Sequence, residues 1–325
     1  MTTTVLPNGG QWAGTHPEST ALSNSLRCFG LDFSDAFLFG LGRGLNFLYW
    51  QSRKMPAPLV RGRIKPDGIV KNVTELLGAR CEVIELPTLE LTRSLVRREL
   101  ASGYPVMIRL GFPDSSLLAG ALESDYVVIV GVEHHDYVAM AQAAESEPTL
   151  VPLSSEFARW SERGVPQAVV VRLEHVPAHL AHILRASMRR HAAEILEPPV
   201  PYLGVHGIER FAQDIIRWPD RLRDVSMAAS VFVQSWTHRY AGGDGYRSLY
   251  RRFLVEAFDI LPCKIIEESV RTMGRAAVYW KGVVASLREV ASGANGVDAF
   301  LREASRLLRE AARLERGAME AISEL

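Results

Sequence analysis

The stretch THPESTALSNSLRCFGLDFSDAFLFGLGRGLNFLYW, which runs from Thr15 to Trp50, decides the fold class of this chain. Its first part predicts a helix from Pro17 to about Cys28, because proline suits the first helical position, where its missing N–H has no intrahelical partner. Gly30 tolerates the positive φ with which helices often end. The folded part of the chain is therefore expected to begin with a helix.

The second part of the stretch predicts another helix and then an extended segment. Ser34 is a good helix cap, apolar residues follow it, and Asn46–Gln51 has an extended pattern. The glycines between Gly40 and Gly44 break the helix and indicate a tight turn with close backbone approach. A nucleotide-binding loop is a weaker interpretation, because these glycines follow a helix and no Gly-Lys-Ser/Thr sequence is present.

The residues downstream alternate as strands do. Strands rich in Val, Ile and Tyr are predicted at Cys81–Leu86, Pro105–Leu110, Tyr126–Val132, Tyr137–Ala141 and Gln167–Leu173. Helices are predicted at 69–78, 88–102 and 154–163. A first helix followed by a mostly antiparallel sheet is an α+β arrangement. We expect residues 1–14 to be a flexible lead, 15–176 to form the α+β domain and 177–325 to form an all-helical domain.

The composition limits the classes of function. The chain has 325 residues, 47% of them apolar, and a formal net charge of zero. That size suits two ordinary domains with real cores, and the charge balance does not favour nucleic acid or an anionic membrane as a partner. The first residues lack the basic start and apolar centre of a secretory signal, and no apolar run reaches the ~18 residues of a membrane span. We therefore expect a cytoplasmic protein.

The chain contains three cysteines, Cys28, Cys81 and Cys263. They are far apart and odd in number, so a disulfide framework is not expected. Cys28 lies about three turns along the first predicted helix, ~16 Å from its start, and is expected to be a small buried residue. Three histidines have helix-like spacing, His175, His179 and His182. No carboxylate or cysteine completes a metal set with them, so the sequence predicts neither a metal nor a cofactor.

Several motifs resemble those of one known family. They are HPESTAL at 16–22, FGLGRGLNFLYW at 39–50, Gly62-Arg63 with the downstream Asn72, Gly103-Tyr104-Pro105-Val106, VVIVG at 127–131, GGDGYR at 242–247 and FLVEA at 253–257. The chain thereby resembles the butirosin biosynthesis protein H family. The resemblance implies a papain-like cysteine-peptidase or acyltransferase fold, followed by a helical domain of unknown function. It also implies an activity that moves an acyl group from a carrier protein to an aminoglycoside amine.

The same resemblance shows which catalytic groups are missing. In the family a His-Cys-Glu run supplies the cysteine nucleophile, whereas here the run is His16-Pro17-Glu18. Proline neither attacks a carbonyl carbon nor loses a proton, and thiol catalysis also needs an imidazole and a group that orients it. The resemblance places the family's histidine where Asp125 and Tyr126 stand, and its orienting Asp where Met140 stands.

Four residues are candidates for catalysis, His16, Glu18, Asp125 and Tyr126. The first two lie where the resemblance places a cleft and suit an acid, a base or a hydrogen-bond partner of a substrate. Helix capping and a favourable first-turn carboxylate are the alternative explanation for both. Asp125 and Tyr126 are neighbours on a predicted strand, so only one of them can point into a site.

Six residues are candidates for substrate binding, Tyr49, Trp50, Arg63, His134, Arg247 and Tyr250. Aromatic rings beside an arginine suit a small polar substrate or a phosphopantetheine arm, although core packing alone explains aromatic side chains equally well. His134 lies with His135 and Asp136 in a predicted turn, where polar residues are common in any case. Arg247 and Tyr250 follow a glycine-rich entry and suit either a substrate contact or a contact that fixes a domain.

Two hypotheses of function remain open at this stage. The first is an enzyme of specialised-metabolite biosynthesis on an acyltransferase fold without the thiol. It would act by non-covalent acyl transfer or by proton transfer, as in a cyclisation or isomerisation, on a small or carrier-bound substrate. The second is a catalytically silent homologue that binds a pathway intermediate, an acyl carrier protein or a partner enzyme. A homodimer is compatible with either.

Overall fold

The chain divides into two compact units. The computed structural model describes residues 4–6, 13–52, 54–111, 124–133, 136–142, 148–174, 179–238 and 241–325. The first unit comprises residues 1–38 and 65–178, and the second comprises 39–64 and 179–325. A single boundary between the domains near residue 177 was expected. The placement of 39–64 with the C-terminal helices was not predicted from the sequence.

The helices and strands follow the sequence pattern closely. In chain order they are β1 (Thr4–Val5), α1 (Pro17–Arg27), α2 (Asp35–Leu41), β2 (Leu45–Trp50), β3 (Leu59–Arg63), α3 (Gly68–Leu77), β4 (Arg80–Glu85), α4 (Leu89–Ala101), β5 (Val106–Gly111), β6 (Ser124–Glu133), β7 (Tyr137–Gln142), β8 (Thr149–Pro152), α5 (Leu153–Ser161), β9 (Gln167–Arg172), α6 (Leu180–Leu196), α7 (Gly204–Asp214), α8 (Trp218–Arg221), α9 (Val225–Thr237), α10 (Arg247–Ile260), α11 (Lys264–Ala291) and α12 (Val297–Ser323). A short 3₁₀ turn, Ile215–Arg217, joins α7 to α8.

The first unit is built on one antiparallel sheet. Its strand order is β4-β9-β5-β6-β7-β8, and β1 adds to β6 through the pairs Thr4 with Val132 and Val5 with Gly131. The expectation that all of residues 1–14 form a flexible lead was therefore wrong for Thr4–Val5. Strand pairing over such a sequence distance leaves no local signal in a two-residue segment. The predicted α+β class with a mostly antiparallel sheet is confirmed, and α1 packs against β5, β6 and β7.

Every second side chain along the central strands faces the core of this unit. Val106, Ile108 and Leu110 of β5 and Val127 and Ile129 of β6 face one hydrophobic cluster with side chains of α4. Each such aliphatic side chain contributes roughly 1.5–3 kcal/mol when it is fully buried. Residues between them point to the opposite face of the sheet, and this second face carries the candidate site.

The second unit is helical, as expected for the C-terminal region, except for the hairpin of β2 and β3. The β2 side chain of Phe47 packs in an aromatic cluster with Phe211 of α7, Trp236 of α9 and Trp280 of α11. Ring centroids in these pairs lie 5.3–6.1 Å apart, a range that favours aromatic contacts. The cluster explains why the segment 39–64 belongs with the C-terminal helices. Among the described helices, none is long and apolar enough to cross a membrane.

A buried arginine holds the centre of the second unit. Arg247 is 0% exposed, and its Nε and Nη2 donate to Glu315 Oε1 and Oε2, each at 2.9 Å. Trp280 Nε1 also donates to Glu315 Oε1 at 2.6 Å, and the Arg247 guanidinium lies 4.8 Å from the Trp280 ring centroid. Arg247 Nη1 donates to the Gly245 carbonyl at 2.8 Å. This bidentate pair is well satisfied, as a buried charge pair must be.

We predict that Arg247→Met lowers the free energy of unfolding by about 3–5 kcal/mol, because it leaves the Glu315 carboxylate buried without its cation. Urea denaturation measures this loss. The double variant Arg247→Met with Glu315→Leu should recover much of it, because both charges are then removed together. A single variant as stable as the parent would show that the pair does not hold the unit.

Candidate functional site

The start of α1 is built as the sequence predicted. His16 is the capping residue, with extended backbone, and its Nδ1 accepts from the Ser19 N–H at 3.2 Å. Pro17 occupies the first helical position, where a proline loses no hydrogen bond. His16 is 1% exposed. Of the two explanations for His16, capping is thus realised, and its use as an acid or base stays a prediction.

The Glu18 carboxylate joins α1 to α3. Its Oε1 accepts from the backbone N–H groups of Ile69 at 2.8 Å and Val70 at 3.1 Å. These groups are among the first N–H groups of α3, which have no intrahelical partner. A carboxylate at that position also meets the favourable end of the helix dipole. Glu18 is buried, so its capping of a different helix is a structural role that its own first-turn position did not predict.

Tyr126 meets the residue that precedes α3. Its hydroxyl donates to Asp67 Oδ1 at 2.7 Å and accepts from the Asp67 N–H at 3.1 Å. Asp67 Oδ2 accepts from Arg109 Nη1 at 2.6 Å. Arg109 and Tyr126 are direct cross-strand partners on β5 and β6, so their side chains leave the same face of the sheet. Asp67, Arg109 and Tyr126 are called the tyrosine–aspartate cluster below.

The backbone of Asp67 is in the left-handed region, with φ of 60°. A residue other than glycine rarely adopts this conformation unless its surroundings fix it, and such residues concentrate at functional sites. Neither Asp67 nor Arg109 is predicted by the sequence motifs. The signal that was available is the turn sequence Pro66-Asp67-Gly68, because Asp tolerates the left-handed conformation in turns of this kind.

Asp125 lies apart from this cluster. It pairs with Leu110 across the sheet, and its Oδ1 accepts from the N–H of Tyr126, at 3.1 Å. The prediction that only one of the two neighbours points into the site agrees with this arrangement, and Tyr126, at 1% exposed, is the one that does. The structure thus gathers Glu18 and Tyr126 at the start of α3 and leaves Asp125 on the other face.

Two of the cysteines have thiols that resist ionisation. Cys28 follows the last residue of α1, and burial raises the pKa of its thiol to about 11. Cys81, on β4, lies near the cluster, and burial, followed by the negative charge of Asp67, raises the pKa of its thiol to about 11. Cys263 occupies the position before the first residue of α11 in the second unit, without a side-chain capping bond. A thiolate is the reactive form of cysteine, so neither Cys28 nor Cys81 suits nucleophilic attack near neutral pH.

The substrate-binding candidates that the structure describes all belong to the second unit. Tyr49 is buried, its ring stacks on Phe211 with centroids 4.8 Å apart, and burial raises the pKa of its phenol to about 12. Trp50 is 46% exposed and is the most accessible of these candidates. Arg63 is buried and donates to the Ile64 carbonyl at 3.3 Å.

The remaining binding candidates are either fully buried or outside the described residues. Arg247 and Tyr250 are both 0% exposed inside the second unit, and a substrate contact or a contact between the domains stays a prediction for them. His134 and His135 lie outside the described residues, as does His175. Within the described part of the chain, no group of three or more His, Cys, Asp or Glu side chains is arranged to hold a metal ion.

Comparisons with known proteins agree with the motif analysis. Residues 16–141 match the family model described as butirosin biosynthesis protein H, N-terminal, and residues 162–322 match the model of a domain of unknown function, DUF4872. The predicted resemblance is therefore confirmed in both parts of the chain. A crystal structure of a C39-like peptidase from Bacillus anthracis is 15% identical with a TM-score of 0.38, and the match covers 54% of this chain and 100% of that one. Among curated proteins none matches the chain significantly.

We predict that Glu18→Gln lowers the free energy of unfolding by about 1 kcal/mol, because the amide keeps an acceptor oxygen but loses the charge that favours the α3 N-terminus. Glu18→Ala should cost about 2 kcal/mol, since it leaves buried N–H groups without their acceptor. Urea denaturation measures both. Glu90→Gln is the matched control, because Glu90 is an exposed first-turn carboxylate of α4 and should change stability by under about 0.5 kcal/mol.

Proposed function

We propose that this chain, whose residues 16–141 match the family model of butirosin biosynthesis protein H, N-terminal, acts in specialised-metabolite biosynthesis without forming a covalent acyl-enzyme. Its substrate is a small molecule or an acyl group on a carrier protein. The observation that carries the proposal is Pro17 at the first position of α1, where the family resemblance puts the cysteine nucleophile.

The two cysteines of the first unit, Cys28 and Cys81, do not replace the missing thiol. Cys28 stands at the opposite end of α1, away from the helix N-terminus that would stabilise a thiolate. Cys81 is near Asp67 and Glu18, whose negative charges act against ionisation of its thiol. Since a covalent acyl-thioester needs an accessible thiolate, the chemistry that fits this unit is non-covalent.

In direct acyl transfer, the nitrogen of an amine attacks the carbonyl carbon of a thioester. The C–N bond forms, the C–S bond breaks, and the proton lost by nitrogen leaves with the sulfur as a thiol. Tyr126 and Asp67 supply a phenol and a carboxylate joined by a 2.7 Å hydrogen bond, a pair that suits the transfer of this proton. A cyclisation or isomerisation needs the same kind of proton movement. Arg109 holds the Asp67 carboxylate in place as a positioning residue.

One observation favours a second function, which is binding without catalysis. Glu18, Asp67 and Tyr126 are buried and hydrogen-bonded at the start of α3, so these bonds already stabilise the fold. A homologue that retains the frame of the fold and uses these groups only for stability would bind a pathway intermediate, an acyl carrier protein or a partner enzyme. The turnover experiment with Tyr126→Phe separates these functions.

We predict that the unmodified protein gains no mass when it is incubated with an acyl N-acetylcysteamine thioester, whereas Pro17→Cys gains one acyl group. The reason is that a thiol at the start of α1 has its thiolate favoured by the helix dipole. Intact-protein mass spectrometry measures the adduct. Ser25→Cys, near the other end of the same helix, is the matched control and should remain unmodified. An adduct on a native cysteine would overturn the proposal.

We predict that Tyr126→Phe lowers turnover of an amine and an acyl thioester by about 10²-fold or more, because it removes the proton-transferring hydroxyl and keeps the ring. Product mass measures turnover, and thermal melting checks that the variant is folded. Tyr137→Phe, at an exposed tyrosine of β7, should leave the rate unchanged. Unaltered turnover in Tyr126→Phe excludes the proton-transfer role. Ligand binding by a parent protein that turns over neither amine nor small substrate would favour the second function.

A further inference from the structure

A groove in the second unit combines cationic and apolar side chains. Its volume is about 590 Å³, and it lies between the segment after β2 and the N-terminal end of α9. The lining residues are Lys54, Met55, Pro56, Arg221, Leu222, Arg223, Asp224 and Met227. It is called the methionine groove below.

The positive charges of the methionine groove are not balanced. Neither Lys54 nor Arg223 forms an ion pair with any residue that the structure describes, although many arginines of this chain do. Arg221 is paired with Asp214 at 2.9 Å, outside the groove. The single lining carboxylate, Asp224, caps α9 by accepting from the Met227 N–H at 2.8 Å. The lining therefore carries an excess of positive charge that attracts an anion.

The apolar part of the methionine groove suits an aliphatic group. Met55, Leu222 and Met227 are half-buried and form an apolar surface between the exposed cations. Methionine side chains are unbranched and polarisable, so they adapt to ligands of different shape. The ligand with the highest affinity for this groove is therefore expected to carry both an anionic head and an aliphatic arm.

A second groove beside it serves as an internal comparison. This groove, of about 500 Å³, is lined by Gln51, Ser52, Arg210, Asp214, Asp220 and Arg221. Asp214 forms ion pairs with both Arg210 and Arg221. The lining has equal numbers of acidic and basic residues. It also lacks aliphatic lining side chains. The two features that define a site for an amphiphilic anion therefore occur together in the methionine groove and not in its neighbour.

We propose that the methionine groove binds a small phosphate ester or carboxylate that carries an aliphatic arm. Lys54 and Arg223 contact the anion, and Met55, Leu222 and Met227 contact the arm. This site belongs to the second unit alone and does not depend on the chemistry proposed for the start of α1.

The test uses the full chain and n-hexyl phosphate as the probe. The ¹³C-methyl resonances of Met55 and Met227, assigned with Met→Leu variants, should shift in a saturable manner, while those of the other methionines remain. Hexanoate tests a carboxylate head, hexanol the arm without an anion, and inorganic phosphate the anion without an arm. Saturation with hexyl phosphate or hexanoate, and much weaker shifts with the other two probes, would support the proposal.

Charge variants decide the role of the cations. Lys54→Gln and Arg223→Gln should each weaken binding roughly fivefold, because each removes one exposed charge contact, and added salt should weaken binding further. Arg306→Gln is the matched control, since Arg306 is an exposed arginine on α12 that pairs with Glu303. Equal binding of hexanol and hexyl phosphate, unchanged affinity in both variants, or an equal loss in Arg306→Gln would each overturn the proposal.

Discussion

The first unit depends on two backbone N–H groups that have no hydrogen-bond acceptor within their own helix. Those of Ile69 and Val70 at the start of α3 donate to the buried Glu18 carboxylate on α1. An ionised group is costly to bury unless strong donors satisfy it. Glu18 and the α3 N-terminus therefore stabilise each other and fix the start of one helix against the start of the other. This interaction is made by Glu18, the residue after Pro17. It therefore does not require a thiol at position 17.

The charges at the start of α3 help to explain why the thiol of Cys81 is a poor nucleophile. Glu18 and Asp67 bring two carboxylates to the start of α3, and Arg109 compensates one of them. The effect on a sulfur atom is seen at Cys81, whose thiol pKa is raised by burial first and then by Asp67. The Tyr126 phenol differs from this thiol, because it donates a hydrogen bond to the Asp67 carboxylate and needs no nearby positive charge for that contact.

Sequence patterns predicted those parts of the structure that depend on near neighbours. Pro17 at the first position of α1 and the opposite directions of the Asp125 and Tyr126 side chains follow from local rules of helices and strands. The partner of Tyr126 did not follow, because Asp67 lies 59 residues away in sequence and reaches it through a turn. The role of Glu18 was missed for the same reason, since its own helix already explained a first-turn carboxylate. Local pattern fixes where a side chain points but not which distant group it meets.

The glycine-rich motif before α10 shows how a recognisable sequence arises from packing. Gly242, Gly243, Gly245 and Tyr246 all have positive φ, so this turn requires mostly glycine. The turn brings the Gly245 carbonyl to Arg247, and a Cβ on Gly62 would lie 2.7 Å from that same oxygen. Replacing either glycine would therefore disturb the buried Arg247–Glu315 pair. The glycine-rich motif of the second domain is therefore explained by the close packing of β3, this turn and α12. Its presence gives no reason to place a substrate there.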